Sequence, residues 1–328
     1  MVLTFDEIKS ALFGAIYTEE KDGLLTFHRF EKWQEALFLT TLDYINKPLK
    51  THATTSMQLD FYTDATSFAL DWRSVPGSGS AACYTDVYVD GVLKEHMGYS
   101  AVNEERDLLL SVDLSAYGNG KKRVTVFLPN LYGMRIRSLT LCGTLFEPAK
   151  KSCRLLALGD SITQGYTAIY PSLSYVNVLA RHLNAEVLNQ AIGGAHFEYI
   201  DIEHGISFAP DLITVAYGTN DWSRGRDVAG KTRNYLKTLT ALYPNTPVYV
   251  ILPLWRGDVA KKDLAVIPFS ELPVLIRREC EAFPTVTVID GGDLVPHFEE
   301  FFLPDTLHPN DLGFLQYGEN LYRAIKKV

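Results

Sequence analysis

A short apolar run, Leu155–Leu158, stops at Gly159 and is followed by an acid and a hydroxyl, Asp160 and Ser161. A run of this length is typical of a buried parallel strand. Because ligands of open α/β sheets bind at the carboxyl ends of the strands, Ser161 is expected where chemistry usually takes place. Taken alone, the pattern is equally compatible with an ordinary turn in which Asp160 or Ser161 caps a helix.

From Arg154 onward, short apolar segments alternate with amphipathic stretches. The predicted strands are Leu155–Leu158, Val187–Asn189, Leu212–Tyr217, Val248–Leu252 and Val286–Ile289. The predicted helices are Tyr175–Leu183, Lys231–Leu242, Leu272–Phe283 and Gly313–Ile325. This βαβ succession predicts an α/β fold, a doubly wound parallel sheet with helices on both faces.

Residues up to about Phe146 instead show short runs of alternating or clustered apolar residues, which are typical of β-strands. These runs follow a helical opening turn around Ile8. The predicted strands are Leu24–Phe27, Ala36–Leu39, Ser56–Tyr62, Ser67–Trp72, Cys83–Val89, Leu108–Val112, Val124–Leu128 and Arg135–Leu141. Turn residues separate these strands, and Asp90-Gly91 marks the clearest hairpin. Many short strands with such turns predict an all-β sandwich of jelly-roll type.

The β pattern changes to the βαβ pattern at residues 146–152, FEPAKKS, a short polar connection that contains a proline. A length of 328 residues suggests two domains at about 150 residues each. We therefore predict a β-sandwich accessory domain over residues 1–148 and an α/β domain over residues 149–328.

Charge and composition exclude several classes of partner. The chain has 47% hydrophobic residues and a formal net charge of -8, which argue for a globular protein that binds neither nucleic acid nor a membrane. The first residues lack the basic start of a secretory signal, and no apolar run approaches the roughly 18 residues of a membrane span. The four cysteines show no CxxC spacing, so we expect reduced thiols and a cytoplasmic protein.

Four polar blocks fall at strand ends or in loops of the second part. They are GDSITQG from Gly159, NQAIGG from Asn189, GTND from Gly218 and DTLHP from Asp305. Together they hold the parts of an acyl-transfer site. Ser161 needs a base, which His308 can supply, and the imidazole needs a carboxylate such as Asp305 to orient it. The N–H groups of Ser161 and Gly194 and the Asn220 amide can stabilise an oxyanion.

These four blocks, in this order, resemble the SGNH (GDSL) hydrolase family from about Arg154 to the end of the chain. The resemblance implies Ser161 as nucleophile, His308 as base and Asp305 as its orienting acid. It also implies Gly194 and Asn220 as oxyanion donors. Gly194 is preferred to Gly193 because the family's glycine lies five residues after the asparagine of its block. Ile162 replaces the usual leucine of the first block.

The first part contains FYTDATSFAL, TDVYVDG and RVTVFLPNLYGM. These segments resemble the β-sandwich that precedes the catalytic domain in some carbohydrate esterases, including family 2 acetyl esterases. The match is looser, since it depends on short motifs. It implies that the acyl group is removed from a sugar, although the same pairing of domains occurs with other acyl chemistry.

Further side chains near the blocks are candidates for substrate contact. His196 follows Gly194 and either reaches the pocket mouth or is a solvated histidine at a helix start. Trp255 and Arg256 follow a predicted strand, so they can stack on a sugar and bind a hydroxyl or carboxylate, or else pack the loop. Asp160 is expected to brace the serine loop, and Asp221 to cap a helix or act as scaffold.

The sequence therefore predicts a serine esterase that removes short acyl groups, with acetyl preferred, from a soluble carbohydrate. It implies no metal or organic cofactor, and activity should fall at acidic pH as His308 takes a proton. A lipid esterase, a thioesterase and an acyltransferase remain open within the same chemistry. A metal-dependent phosphoesterase would need converging His and Asp ligands, and no HxH, DxH or GNHD occurs. A non-catalytic carbohydrate-binding protein would not need the serine and its partners.

Overall fold

The computed structural model describes residues 1–41, 45–261 and 265–327. Within these ranges, the β-strands are Leu12–Phe13 (β1), Tyr17–Lys21 (β2), Leu24–His28 (β3), Gln58–Thr63 (β4), Ser67–Pro76 (β5), Ala82–Val89 (β6), Val92–Ser100 (β7), Asp107–Asp113 (β8), Lys122–Phe127 (β9), Tyr132–Leu141 (β10), Phe146–Pro148 (β11), Cys153–Gly159 (β12), Ala185–Asn189 (β13), Leu212–Ala216 (β14), Val248–Ile251 (β15) and Val286–Ile289 (β16). The α-helices are Phe5–Ser10 (α1), Lys32–Thr40 (α2), Lys47–Thr51 (α3), Ser161–Gln164 (α4), Tyr175–Leu183 (α5), Thr219–Ser223 (α6), Val228–Leu242 (α7), Leu272–Cys280 (α8) and Asp311–Lys327 (α9).

The N-terminal part consists of two antiparallel sheets. One has the order β1-β4-β9-β6-β7, with β11 paired to β4, and the other has the order β2-β3-β10-β5-β8. Apolar residues of both sheets share one core, in which Phe61 and Val126 of the first sheet join Leu70, Trp72 and Ile136 of the second. These two sheets confirm the predicted β-sandwich, although this part also contains the helices α1, α2 and α3.

One predicted strand of this part is wrong, because Ala36–Leu39 lies inside helix α2. Gln34 Oε1 accepts a hydrogen bond from the Glu31 backbone N–H at 2.9 Å, a reciprocal contact typical of a helix start. Gln34 and Phe38, four residues apart, are the buried positions of the helix. The apolar cluster is thus one face of a helix, and its short length concealed the helical period.

The C-terminal part is an open parallel sheet with the order β13-β12-β14-β15-β16. The helices α5 and α9 pack on one face of it, with Leu179 and Phe314 in a shared cluster. The helices α7 and α8 cover the other face, where Leu236 and Ile276 are buried. The predicted doubly wound sheet is confirmed, and its strand β12, which is paired on both sides, leads to Ser161.

Candidate active site

Ser161 lies at the carboxyl end of β12, as the first residue of the short helix α4. The residue before it, Asp160, is 2% exposed, and its carboxylate accepts a hydrogen bond from the Ile162 N–H at 3.0 Å. Burial raises the pKa of Asp160 to about 6. Asp160 thus braces the turn from inside and does not present its carboxylate to solvent.

A continuous chain of hydrogen bonds joins Ser161 to His308 and Asp305. Ser161 Oγ lies 2.8 Å from His308 Nε2, and His308 Nδ1 lies 2.6 Å from Asp305 Oδ2. An N–H at Nδ1 directed to the carboxylate leaves Nε2 as the acceptor that faces the hydroxyl. This is the arrangement in which an imidazole can take the proton of a serine.

Asp305 is fixed by the loop that carries both residues. Its Oδ1 accepts hydrogen bonds from the backbone N–H groups of Leu307 and His308, each at 3.0 Å. Burial alone would raise the pKa of Asp305, but the hydrogen bonds from the His308 side chain and from these N–H groups outweigh it. The pKa of the carboxyl is therefore held well below its usual range. Asp305 stays charged opposite the imidazole.

The loop after β13 brings Gly193 and Gly194 beside Ser161. A Cβ at Gly193 would lie 3.6 Å from Ser161 Cβ, and the Gly193 N–H donates to Gln164 Oε1 at 2.8 Å. Gly194 has a φ of +84°, and a Cβ there would lie 2.7 Å from Ile45 Cγ2. Since the Gly193 N–H already has an acceptor, Gly194 is the better oxyanion donor of the two.

Asn220 lies in α6, directly after β14, the strand next to β12 in the sheet. Its Nδ2 donates to Ala195 O at 3.1 Å and to Asp160 Oδ2 at 3.3 Å. These two contacts hold the amide between the serine loop and the glycine loop. The predicted donors Ser161, Gly194 and Asn220 therefore meet at one edge of the sheet.

The three predicted substrate residues differ in what they contact. His196 is 6% exposed, and burial together with Arg226 lowers its pKa to about 4, so it is a buried neutral imidazole. Trp255 lines a pocket with Asp160, and its ring stacks on His297 with centroids 5.7 Å apart. Trp255 thus shares a pocket with residues of the serine turn.

Arg256 is buried and engaged within the protein. Its guanidinium makes a two-pronged ion pair with Asp258, at 2.6 and 2.9 Å, and donates to Thr219 Oγ1 at 2.6 Å. These contacts support the start of α6, which carries Asn220. The geometry therefore assigns Arg256 to the support of an oxyanion donor and does not bring it to a substrate hydroxyl.

Asp221, the neighbour of Asn220, is fully buried. Its Oδ2 accepts from the Phe197 N–H at 3.3 Å, and within the described residues its Oδ1 has no hydrogen-bond partner. Burial raises the pKa of Asp221 to about 7. As expected for a scaffold residue, it connects α6 to the loop after Gly194.

Sequence reasoning missed the residues that the N-terminal part contributes to this site. Lys50 Nζ donates to Gly193 O at 2.6 Å. Arg29, with no exposed surface, donates to Asn189 O at 2.8 Å and to Ala191 O at 2.7 Å. The glycine loop is thus held from outside the α/β part. A lone Lys and a lone Arg carry no local signal, because their partners in the glycine loop lie more than 140 positions away.

No group of three His, Cys, Asp or Glu side chains in the described ranges is arranged to hold a metal ion. None of the described helices is long and apolar enough to cross a membrane. The four cysteines are free thiols, and Cys83 and Cys280 are buried.

Part of the chain matches a known protein family. Residues 157–314 match the GDSL-like Lipase/Acylhydrolase family. No curated protein matches the sequence.

Several solved structures share the fold of the whole chain. The salicylyl-acyltransferase SsfX3 from a tetracycline biosynthetic pathway is similar with a TM-score of 0.81 and 20% identity, over 97% of this chain and 94% of that one. A protein from Bacteroides ovatus described as a GDSL-like lipase has a TM-score of 0.77 and 21% identity, over 100% and 97% of the two chains. A family two carbohydrate esterase from Cellvibrio japonicus has a TM-score of 0.64 and 18% identity, over 100% and 96%.

The family match extends from within β12 to the start of α9, and so it contains all four blocks and the Ser161–His308–Asp305 chain. The C-terminal part of this protein is a GDSL-like lipase/acylhydrolase domain.

Proposed function

We propose that this protein is a serine esterase that removes short acyl groups, with acetyl preferred, from a carbohydrate. The observation that carries the proposal is the chain from Ser161 Oγ through His308 to Asp305, with distances of 2.8 and 2.6 Å. A hydroxyl, a base and an orienting carboxylate in this order are what nucleophilic acyl transfer requires.

In the first step, Ser161 Oγ attacks the ester carbonyl carbon while His308 Nε2 takes the hydroxyl proton. The carbonyl oxygen becomes an oxyanion, which accepts hydrogen bonds from the Ser161 and Gly194 N–H groups and from the Asn220 amide, whose N–H leaves its longer contact with Asp160 Oδ2 at 3.3 Å. The intermediate then expels the sugar oxygen, and His308 returns the proton to it. The products of this step are the free sugar alcohol and an acyl ester on Ser161.

In the second step, water attacks the acyl-Ser161 ester while His308 takes a proton from it. Collapse of the second tetrahedral intermediate releases the carboxylic acid and restores the Ser161 hydroxyl, protonated by His308. Asp305 keeps the imidazole oriented and balances its positive charge in both steps. The cycle consumes one water and needs no cofactor.

Close packing beside the proposed oxyanion glycine and beside the base supports a small acyl group. Ile45 packs so closely on Gly194 that a Cβ there would lie 2.7 Å from Ile45 Cγ2. The ring of Tyr166 lies 4.9 Å from that of His308. The family two carbohydrate esterase has the same fold along this whole chain. This similarity supports the proposal that the alcohol released from the ester is a sugar.

An acyltransferase is the second candidate. The salicylyl-acyltransferase has the same fold with a TM-score of 0.81. The same acyl-Ser161 would then pass its acyl group to an alcohol instead of water. The two candidates share the first step and differ only in the acceptor of the second.

Hydrolysis of nitrophenyl esters with acyl chains of two to eight carbons tests the proposal. We expect kcat/KM to fall as the chain lengthens, and acetylated xylo- or gluco-oligosaccharides to release acetate. Ser161→Ala should lower hydrolysis by about 1,000-fold or more and leave the fold intact. Preference for eight-carbon chains would refute the acetyl assignment, and a fully active Ser161→Ala would refute the mechanism. Transfer that outpaces hydrolysis when an acceptor sugar is added would favour the acyltransferase.

A further inference from the structure

A groove of about 420 Å³ lies on the outer face of the sheet β2-β3-β10-β5-β8. Small-molecule sites usually enclose roughly 300–1,000 Å³, so the groove is large enough for a compact ligand. All residues that line it belong to the N-terminal part, and none of them is a residue of the candidate active site. The groove is therefore a separate feature of the β-rich part.

The strand register places a row of polar residues across the sheet. Glu19 on β2 pairs with Thr26 on β3, Thr26 with Arg135 on β10, and Arg135 with Arg73 on β5. Arg73 pairs in turn with Asp107 on the edge strand β8. Successive residues of a strand point to opposite faces, so this row lies on one face of the sheet. Arg135 is at its centre.

Arg73 is one of two arginines in the groove that have carboxylate partners. It makes a two-pronged ion pair with Asp107 at 2.9 and 3.0 Å. The other is Arg137, which binds Asp71 at 2.5 Å and Asp107 at 2.8 Å. The positive charges of these two guanidinium groups are thus paired with two carboxylates. A third guanidinium, that of Arg135, is directly opposite Arg73 in the register.

Arg135 is half-buried and lines the groove. Within the described residues, no acceptor or carboxylate is bonded to its guanidinium. Its cross-strand neighbour Arg73 has the same charge, and like charges directly opposite each other destabilise a sheet. A bound anion would supply the missing partner and offset this repulsion.

The other lining groups fit an anion that also carries hydroxyls. Thr26 offers a hydroxyl beside Arg135. The acids Glu19 and Asp22 also line the groove, and Glu19 Oε2 lies 3.7 Å from His28 Nε2. No Trp or Tyr is among the described lining residues, so ring stacking on a neutral sugar is not what the groove offers.

We propose that this groove binds a small carboxylate-bearing polyhydroxy compound, such as a sugar acid, with the carboxylate on Arg135. The planar guanidinium matches a carboxylate with two parallel hydrogen bonds. The Thr26 hydroxyl binds a ligand hydroxyl next to it. This site is independent of Ser161 and of the ester that Ser161 cleaves.

Isothermal titration of the full-length protein with sodium galacturonate tests the site. Galactose serves as the neutral analogue and inorganic phosphate as the alternative anion. We expect saturable galacturonate binding, no binding of galactose, and weaker binding of phosphate. The variant Arg135→Met should weaken galacturonate binding by about tenfold or more, and Arg135→Lys by less, because it keeps the charge and loses the planar fork.

The matched control is Arg106→Met, which removes a guanidinium of the same β-rich part that does not line the groove. It should bind galacturonate as the wild type does, and hydrolysis of nitrophenyl acetate should be the same in all variants. Lack of saturable galacturonate binding, or equal binding by Arg135→Met and wild type, would overturn the proposal. Tighter binding of phosphate or of galactose would overturn the assignment of a carboxylate. Loss of esterase activity in Ser161→Ala with binding retained would separate this site from the proposed function.

Discussion

Lys50 Nζ donates a hydrogen bond to Gly193 O at 2.6 Å, from a helix of the β-rich part to the glycine loop of the hydrolase domain. The N–H of the same glycine donates to Gln164 Oε1 at 2.8 Å. Gly193 is thus held on both its N–H and its carbonyl. The next N–H along the chain, that of Gly194, is the proposed oxyanion donor, and its position depends on both contacts.

The variant Lys50→Met should lower kcat about tenfold with little change in KM, because a displaced donor weakens binding of the transition state more than that of the substrate. Steady-state kinetics with nitrophenyl acetate measure both constants. Lys50→Arg should restore most of the loss, since its side chain can still donate to Gly193 O. Lys237→Met, which removes an exposed lysine of α7, is the control. An unchanged kcat in Lys50→Met would show that the contact does not position the donor.

The variant Asp305→Asn should lower kcat by about 1,000-fold, because an amide NH₂ facing His308 Nδ1 favours the wrong tautomer. The remaining amide oxygen can still accept from the N–H groups of Leu307 and His308, so the loop should keep its shape. Kinetics at neutral pH, together with a thermal melt, distinguish loss of catalysis from loss of folding. A variant within tenfold of the wild type would mean that another group orients the imidazole.

The variant Arg29→Met should lower the free energy of unfolding by about 3 kcal/mol, because it leaves buried carbonyl oxygens without a donor. Besides Asn189 O and Ala191 O, Arg29 donates to Ala53 O at 3.0 Å and to Lys50 O at 2.8 Å. Burial lowers the pKa of Arg29 to about 9, so the group is still charged at neutral pH.

Urea unfolding measures this loss, with Arg323→Met of the exposed face of α9 as the control. The control should lie within about 0.5 kcal/mol of the wild type. A similarly small effect in Arg29→Met would contradict the importance of its four backbone contacts.

The variant Asp221→Asn should change how stability depends on pH. The pKa of Asp221 is about 7 in the folded protein, against 3.8 for an ordinary aspartate. A carboxyl with a raised folded pKa binds more protons when folded, so its ionisation lowers stability as pH rises from about 4 to about 7. The asparagine removes this penalty. As the pH rises across this range, the free energy of unfolding of the variant should therefore increase relative to that of the wild type, by on the order of 1–3 kcal/mol.

Urea unfolding at intervals between pH 4 and pH 8 gives the difference between the two proteins. The control variant Asp293→Asn, at an exposed aspartate, should show the same dependence of unfolding free energy on pH as the wild type. A difference between Asp221→Asn and wild type that does not change with pH would refute a raised pKa at this position.

Most elements could be predicted where the apolar pattern was regular. Helix α5 has the predicted bounds Tyr175–Leu183, and the strands of the parallel sheet agree within a few residues. The strand β2, Tyr17–Lys21, escaped prediction because it is exposed and polar, with the sequence YTEEK. The strand is defined by its backbone hydrogen bonds to β3, and a hydrophobic pattern in the sequence does not reveal such bonds.

The site was predictable to the extent that its residues follow strands. Ser161 and Asn220 follow the ends of β12 and β14 within four residues, and neighbouring parallel strands bring their ends together. Arg256 also follows a strand, β15, yet it points into an ion pair with Asp258. A strand end places the backbone, whereas the partners of a side chain depend on tertiary contacts. Lys50 lacked even this positional signal.

The hydrogen bonds of Arg29 also bear on how such a protein can be recombined. Its guanidinium lies in one half of the chain, while two of its acceptors belong to the loop that carries the oxyanion glycine in the other half. A chimera joined at residues 149–152, between β11 and β12, would give this loop a foreign support. The part of the chain that is needed to hold the proposed site is therefore larger than the hydrolase domain alone. We expect the two halves of the chain to have changed together during evolution.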